Sequence, residues 1–286
     1  MDNKQESHKR GYLKQDFQFF HIADQTDLTF EFHYHEFNKI IIFLSGNVTY
    51  LIEGKSYKLK PWDILLINNH DVHKPIINTN ETYDRIILWI DNDFISKHSN
   101  ENCDLTTCFK LAGRKSFSLI RLEKSLQDQL KQLISSLEQS VHSEEFGSKL
   151  LSNAIFLQFL IYLNRIYLNQ SYIYDQNALE TDTQIEGILQ YVKDHLGEDL
   201  SVESIANHFY LSKHYLMHKF KLRTGYTLHN YILKKRLFYA TELIQSGLPI
   251  IKASEQSGFR DYSTFLRAFR KTFHCSPKEF FQKDSL

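Results

Sequence analysis

LSVESIANHFYLSKHYLMHKFKLRTG, residues 200–225, and IIKASEQSGFRDYSTFLRAFRKTFHCSP, residues 250–277, follow one plan. Each opens with a short segment holding a small residue, Ala206 or Ser254, where a second helix can approach closely. A brief turn follows, Phe209 to Leu211 or Ser257 to Phe259, and then Ser212 or Asp261. Oxygen-bearing side chains at that position accept hydrogen bonds from N–H groups that the first turn of a helix leaves unpaired. Behind the cap, Leu216 and Phe220 in one segment, and Phe265 and Phe269 in the other, stand four apart and share a face. The opposite face carries Lys213, His214, Met217, His218 and Lys221 first, then Tyr262, Ser263, Leu266, Arg267 and Arg270. An apolar back with a polar, cationic front suits a helix that enters the DNA major groove. A solvated surface helix has the same look, but its repetition in tandem argues for two helix-turn-helix units. Leu228 to Ser246 is the long helix joining them, ended by Gly247 and Pro249.

Charge agrees with this reading. No Asp or Glu occurs from Ser204 to Thr241, where Lys213, Lys219, Lys221, Arg223, Lys234, Lys235 and Arg236 all fall. From Asp182 onward there are 15 Lys+Arg against 11 Asp+Glu, and before it 19 against 23, so a neutral chain hides a split of +4 and −4. A basic, acid-free segment gives sequence-independent attraction to phosphates. Lys234, Lys235 and Arg236 read equally as phosphate contacts or as solvated charge.

Residues 185–281 resemble the DNA-binding domain of the AraC family of bacterial transcription regulators. The resemblance is carried by Ile205-Ala206, Ser212, Tyr215-Leu216, Phe220-Lys221, Gly225, Arg236-Leu237, Gly258-Phe259, Asp261, Arg267, Phe269-Arg270-Lys271 and Ser276-Pro277. It implies that the second helix of each unit reads one of two successive major-groove segments. His214, Met217 and His218, then Tyr262, Ser263 and Arg267, are the base-reading candidates, with Lys213, Lys221 and Arg270 beside them. Three departures stand out. Ala253-Ser254 replaces the usual Ile-Ala, His274 replaces a usual Gly, and the His-Met-His set lacks the Arg, Asn or Gln that makes bidentate base contacts. Arg267 is therefore expected to carry the sharper specificity.

Upstream the pattern is β. KIIIFLSG, NVTYLIEG, KSYKLK, DILLIN and YDRIILWI are short, rich in branched and aromatic residues, and broken by Gly46-Asn47, Gly54-Lys55 and Pro61-Trp62-Asp63. Together with His33-Tyr34-His35 and His73, this stretch is similar to the cupin-type barrel that many AraC-family regulators carry as a sensor. In metal-binding cupins a Glu follows the histidine pair; here Lys39 holds that place, and an ammonium repels a cation. No metal and no cofactor is expected. The expected effector-binding set is His33, His35, Lys39, Trp62, His73 and Trp89, polar and aromatic groups lining the barrel.

The period then changes. Leu119, Leu122, Leu126, Leu130, Leu133, Leu137 and Val141 recur at steps of three and four, predicting a helix whose leucine stripe serves dimerisation or core packing. A second apolar helix spans 146–168, and the polar, unperiodic stretch 171–182 reads as a linker. The N-terminus is polar, with no secretory apolar core behind it. Three cysteines without a CxxC pattern suggest reduced thiols and a cytoplasmic setting.

The expected organisation is multidomain: a mobile tail (1–15), an all-β cupin-like sensor barrel (16–110), a helical pair for dimerisation (111–170), a linker (171–182) and an all-α tandem helix-turn-helix domain (183–286). The expected function is a sequence-specific transcription regulator, in the sense of activation that the resemblance implies. Its partners are double-stranded DNA, a small-molecule effector such as a sugar, a second copy of the chain and, for an activator, RNA polymerase. No membrane association is expected. No nucleophile–base pair, phosphate loop or paired carboxylate stands out, so no enzyme activity is read. The alternatives are a metal-dependent cupin enzyme with a DNA-targeting domain and a DNA-binding regulator that needs no ligand.

Overall fold

Both faces of Asn38–Ser45, NKIIIFLS, are buried along most of its length, so it reads as an unbroken apolar run rather than an alternation. Ile40 and Ile42 enter one core; Ile41 and Phe43 enter another. The computed structural model describes residues 13, 15–25, 30–78, 80–115, 117–173, 175, 178–273 and 275–282. The chain divides into two compact units, Met1–Glu180 and Thr181–Leu286. The expected N-terminal tail, apart from Leu13 and Gln15, lies outside the described residues, as does His274.

The first unit runs β1 (Phe17–Asp24), β2 (Asn38–Ser45), β3 (Val48–Ile52), β4 (Lys55–Lys58), β5 (Ile64–Ile67), β6 (His73–Ile77) and β7 (Tyr83–Ile90). It continues with α1 (Asn92–Lys97), α2 (Thr107–Lys115), β8 (Leu119–Ile120), α3 (Lys124–Val141), α4 (Ser148–Leu168) and β9 (Leu179–Thr181). One sheet has the order β1-β7-β2-β5-β8 and the other β6-β3-β4-β9. Glu53 and Gly54, both at positive φ, form the two-residue turn between β3 and β4, the backbone shape that a tight hairpin requires. The alternation of side chains along each strand then sorts the two cores. Ile41, Phe43, Leu65, Ile67, Tyr50 and Tyr57 meet between the sheets, while Ile40, Ile42, Leu66, Leu88 and Ile90 meet the helices outside.

Three expectations are corrected here. The boundary drawn at 110/111 falls inside α2. Leu119 and Leu122 are not helical: Leu119 pairs with Leu65 in β8, and Leu122 precedes α3. Of the remaining stripe, Leu130 and Leu137 are buried in the outer core, with Leu126 and Leu133 packed against it. The leucine stripe is thus internal to the unit, because α4 and the outer sheet face offer it apolar surface within the same chain. Finally, the supposed linker is largely attached to the barrel. Ala178 is buried in the inter-sheet core, Ile173 N–H donates to Arg121 C=O at 2.7 Å, and β9 joins the second sheet.

Arg121 holds this attachment. Its Nε donates to Asp63 Oδ1 at 2.8 Å and its Nη2 to Asp63 Oδ2 at 2.5 Å, while Nη1 contacts Asp175. Hydrogen bonding to Asp63 raises the Arg121 pKa further above its ordinary value, so the guanidinium stays charged.

The second unit is helical: α5 (Thr183–Asp194), α6 (Val202–His208), α7 (Lys213–Thr224), α8 (Leu228–Gln245), α9 (Ile250–Gln256), α10 (Tyr262–Phe273) and α11 (Pro277–Gln282). Asp182, Ser201, Ser212 and Thr227 each accept a backbone N–H at a helix start. Asp261 accepts the Thr264 N–H at 2.7 Å ahead of α10. Gly225 ends α7 at φ 76°, the left-handed conformation glycine adopts without penalty. No helix among the described residues is long and apolar enough to cross a membrane.

Candidate nucleic-acid interface and sensor site

On α7, Leu216 and Phe220 are fully buried, while Lys213, His214, Met217, His218 and Lys221 are exposed. On α10, Phe265 and Phe269 are buried with Leu237, Ala240 and Phe259, while Tyr262, Ser263, Arg267 and Arg270 are exposed. Leu266 differs from expectation: it packs against that core rather than facing out. The His214 and His218 rings lie nearly parallel, 6.5 Å apart. With Val202, Met217, Lys221 and His229 they help line a hollow of about 310 Å³. His229, at the start of α8, joins this surface without any local sequence signal.

Much of the basic run is engaged inside the unit. Lys219 and Arg223 lie 3.0 and 3.4 Å from the carboxylate of Asp182, and Lys213 lies 2.9 Å from Glu203. Arg236 donates to the backbone carbonyls of Leu196 and Glu198 at 2.9 and 2.6 Å. It is thus not simply solvated charge but a clamp on the chain after α5. Lys234 sits 4.6 Å from the centre of the Tyr226 ring, and burial lowers its pKa to about 8.

The turns of the two units differ in a way the sequence only hints at. Tyr210 and Gly258 both have positive φ, 54° and 89°. Tyr210 is almost fully exposed, so its side chain escapes any neighbour. A Cβ on Gly258 would lie 2.2 Å from Leu196 O and 2.7 Å from Arg236 Nε. Ala253 and Ser254, the departures in α9, are both buried, and the Ser254 hydroxyl is satisfied by Ile251 C=O at 2.7 Å.

In the first unit, the antiparallel register sets Lys39 opposite Trp89 and Ile67. Strand alternation therefore puts Lys39 on the inner side with Ile41, and puts Trp89 and Arg85 there with Tyr83. His33 and His73 are backbone partners, with N–H to C=O distances of 3.1 and 2.9 Å in the two directions. His35 stacks on Phe37 at 4.7 Å and lies 5.8 Å from Trp89. Five of the six expected residues, His33, His35, Lys39, His73 and Trp89, thus belong to one interior neighbourhood. Trp62 does not. It occupies the turn before β5 at φ 70°, packs against the outer core, and has the Lys131 ammonium 4.8 Å over its ring. A turn between strands leads to either side of a barrel, and the sequence does not say which.

Electrostatically the interior is unusual. Burial first, and Arg85 second, lower the Lys39 pKa to about 7. Burial, then Lys39 and the neighbouring histidines, hold His73 well below the ordinary imidazole value, so it is neutral. Arg85, missed in the sequence, is paired with Asp24 at 2.9 Å. The β2–β7 register sets Arg85 opposite Phe43, on the same inner side as Lys39, and no local pattern encodes that. The buried Nε1–H of Trp89 finds no hydrogen-bond acceptor among the described residues.

Residues 205–283 match the family described as a helix-turn-helix domain, and residues 18–160, half of the chain, match the AraC-like ligand binding domain. Over 265 residues, 86% of both chains, the sequence is 22% identical to the HTH-type transcriptional activator RhaS of Escherichia coli O1:K1. Among solved structures, ToxT from Vibrio cholerae is 18% identical, over 93% of this chain and 98% of that one, with a TM-score of 0.35. The C-terminal domain of AraT, a response regulator from Geobacillus stearothermophilus, is 28% identical, over 35% of this chain and 84% of that one, with a TM-score of 0.34.

Proposed function

The chain belongs to the AraC family of transcription regulators, and on that premise we propose that it is a transcription activator switched by a small molecule held in its first unit. The observation that carries the DNA-reading part is the pair α7 and α10, each with buried aromatic or aliphatic residues behind and exposed polar residues in front. Arg267, able to make a bidentate contact with guanine, gives α10 the sharper base preference. Lys221 and Arg270 supply phosphate attraction.

The effector is a sugar. The aromatic faces of Phe37 and Trp89 suit the C–H face of a sugar ring, and the Trp89 N–H, the Lys39 amine and the imidazoles suit its hydroxyls. The ligand acts by binding one arrangement of the chain better than another, since equal affinity for both shifts nothing. A second copy of the chain pairs through the exposed face of α4, not through the leucine stripe. Leu150, Leu151, Tyr162 and Leu168 are exposed along that helix, with Phe146 just before it, and two-fold homodimers are the commonest soluble assembly. As an activator, the bound dimer would contact RNA polymerase.

Selection of duplexes from a random library by the full-length protein, with and without candidate sugars, tests this. The expected result is two short motifs roughly 10 base pairs apart, with affinity changed by the sugar that binds. Salt-sensitive binding with no enriched sequence under any condition would overturn the reading.

A further inference from the structure

We propose that His33, His35 and His73 form a binding site for a divalent transition-metal ion of the zinc type inside the first unit. Each ring offers a nitrogen, and these atoms all lie within 4.8 Å of one another. The ring centres are 4.4 to 5.1 Å apart. Around a tetrahedral ion with bonds of about 2.1 Å, ligand atoms sit roughly 3.4 Å apart, so small ring rotations close the triangle.

Proximity alone would not distinguish a ligand set from packed core histidines. The outer contacts do. His33 Nδ1 lies 2.9 Å from Glu31 C=O, and His73 Nδ1 lies 2.8 Å from Asp71 C=O. A carbonyl only accepts, so in both rings Nδ1 carries the proton and Nε2 keeps a lone pair. This is the arrangement by which metal-binding histidines are oriented. The Nε2 of His73 is buried and meets no hydrogen-bond partner among the described residues. Leaving such an acceptor unsatisfied is unfavourable, and a cation satisfies it. The backbone bridge of His33 with His73 fixes two of the three ligands on adjoining segments, and His35 C=O accepts the His70 N–H at 2.8 Å. Rigid backbone beneath the ligands is what a preorganised site needs.

Lys39, in place of a carboxylate, shapes the chemistry of the site rather than abolishing it. Three neutral imidazoles leave the ion's charge uncompensated. They favour zinc, cobalt, nickel or copper over magnesium or calcium, which prefer oxygen. The open position then selects an anion, and the Lys39 amine lies on the same inner surface to hold it. The site shares its imidazoles and Lys39 with the sugar reading, but zinc binding is measured without sugar, so failure of one reading is distinguishable from failure of the other.

The test uses full-length protein freed of metal by chelator and titrated with zinc against a chromophoric competitor, then with cobalt to record its visible spectrum. One ion per chain is expected, with the intense absorption of a tetrahedral cobalt site. His35→Ala and His73→Ala should each weaken binding by more than about 100-fold, beyond what loss of an outer contact produces. His218→Ala, which removes half of the exposed pair on α7, should leave zinc binding unchanged. Lys39→Glu should bind more tightly, a gain that misfolding of the histidine variants cannot imitate. Zinc should also raise the thermal midpoint of the wild type and not of His73→Ala. Absence of stoichiometric binding, retention of binding by both histidine variants, or loss of it in His218→Ala would each overturn the site.

Discussion

Gly258→Ala is the sharpest test of how the second unit is built. Gly258 lies at φ +89°, and an added Cβ would stand 2.2 Å from Leu196 O and 2.7 Å from Arg236 Nε. The left-handed backbone alone costs a residue with a Cβ about 1–2 kcal/mol. The overlap cannot be relieved without moving Leu196 or displacing Arg236, whose hydrogen bonds to Leu196 and Glu198 measure 2.9 and 2.6 Å. Losing a hydrogen bond made by a charged group adds about 1.5–3 kcal/mol. The sum, about 2.5–5 kcal/mol, is a large part of the stability of a domain this size. Gly247→Ala is the control: it has the same sign of φ, +96°, with nothing within 4 Å of the added Cβ, so only the backbone contribution remains. Both Trp62 and Trp89 lie in the first unit. Tryptophan fluorescence therefore follows that unit alone, while the circular dichroism of the helices reports both, so a dichroism change that fluorescence does not share belongs to the second unit. In urea, Gly258→Ala should lose about 1.5–3 kcal/mol more than Gly247→Ala, with the fluorescence transition unmoved. Equal losses in the two variants would refute the clamp between Gly258, Leu196 and Arg236.

Breaking the Arg121–Asp63 pair in the first unit should be costly. Arg121→Met strands a nearly fully buried carboxylate and should destabilise by about 3–5 kcal/mol in a fluorescence-monitored urea titration. A loss under about 1 kcal/mol counts against the pair as the anchor of residues 171–181. His21 Nδ1 lies 2.7 Å from Glu138 Oε1, and Nε2 lies 3.1 Å from Asp84 Oδ1. Burial alone would lower its pKa, but the two carboxylates outweigh burial and raise it. A raised folded-state value gives stability that is complete below the unfolded pKa of about 6.5 and lost as pH rises through the folded value. The fall in urea midpoint between pH 6 and pH 8 should therefore be smaller in His21→Gln than in the wild type, and identical falls would remove His21 as the cause. For DNA, Arg267→Ala should lose about 1–3 kcal/mol of discrimination between selected and scrambled duplex, and His218→Ala less; the reverse order in a competition assay contradicts the ranking. Leu150→Asp with Leu151→Asp should convert a dimer to a monomer by light scattering, and an unchanged mass would exclude that face of α4.

The tandem helix-turn-helix pattern was legible because its information is local. Ser212 caps α7 through the N–H of Tyr215, Asp261 accepts that of Thr264, and the buried faces repeat at four-residue steps. A helix satisfies its backbone within itself, so residues three and four apart decide which side faces a core. The same logic gave the strands their alternation. It gave no warning that Arg236, Lys219 and Arg223 serve carbonyls and a carboxylate within their own unit. Their partners lie about 40 residues away, at Leu196, Glu198 and Asp182.

Tertiary structure alone decided what lies inside the barrel. Sequence named His33, His35, Lys39, His73 and Trp89, but their meeting depends on β2 lying between β5 and β7 and on His33 pairing with His73. It also named Trp62, which the same turn sends to the opposite face of the sheet, and a leucine stripe that is internal. A strand's pairing satisfies its backbone through another segment, and a slip of one residue in register reverses every side chain. Amphipathic periodicity says that a face will be covered; only the assembled fold says by what.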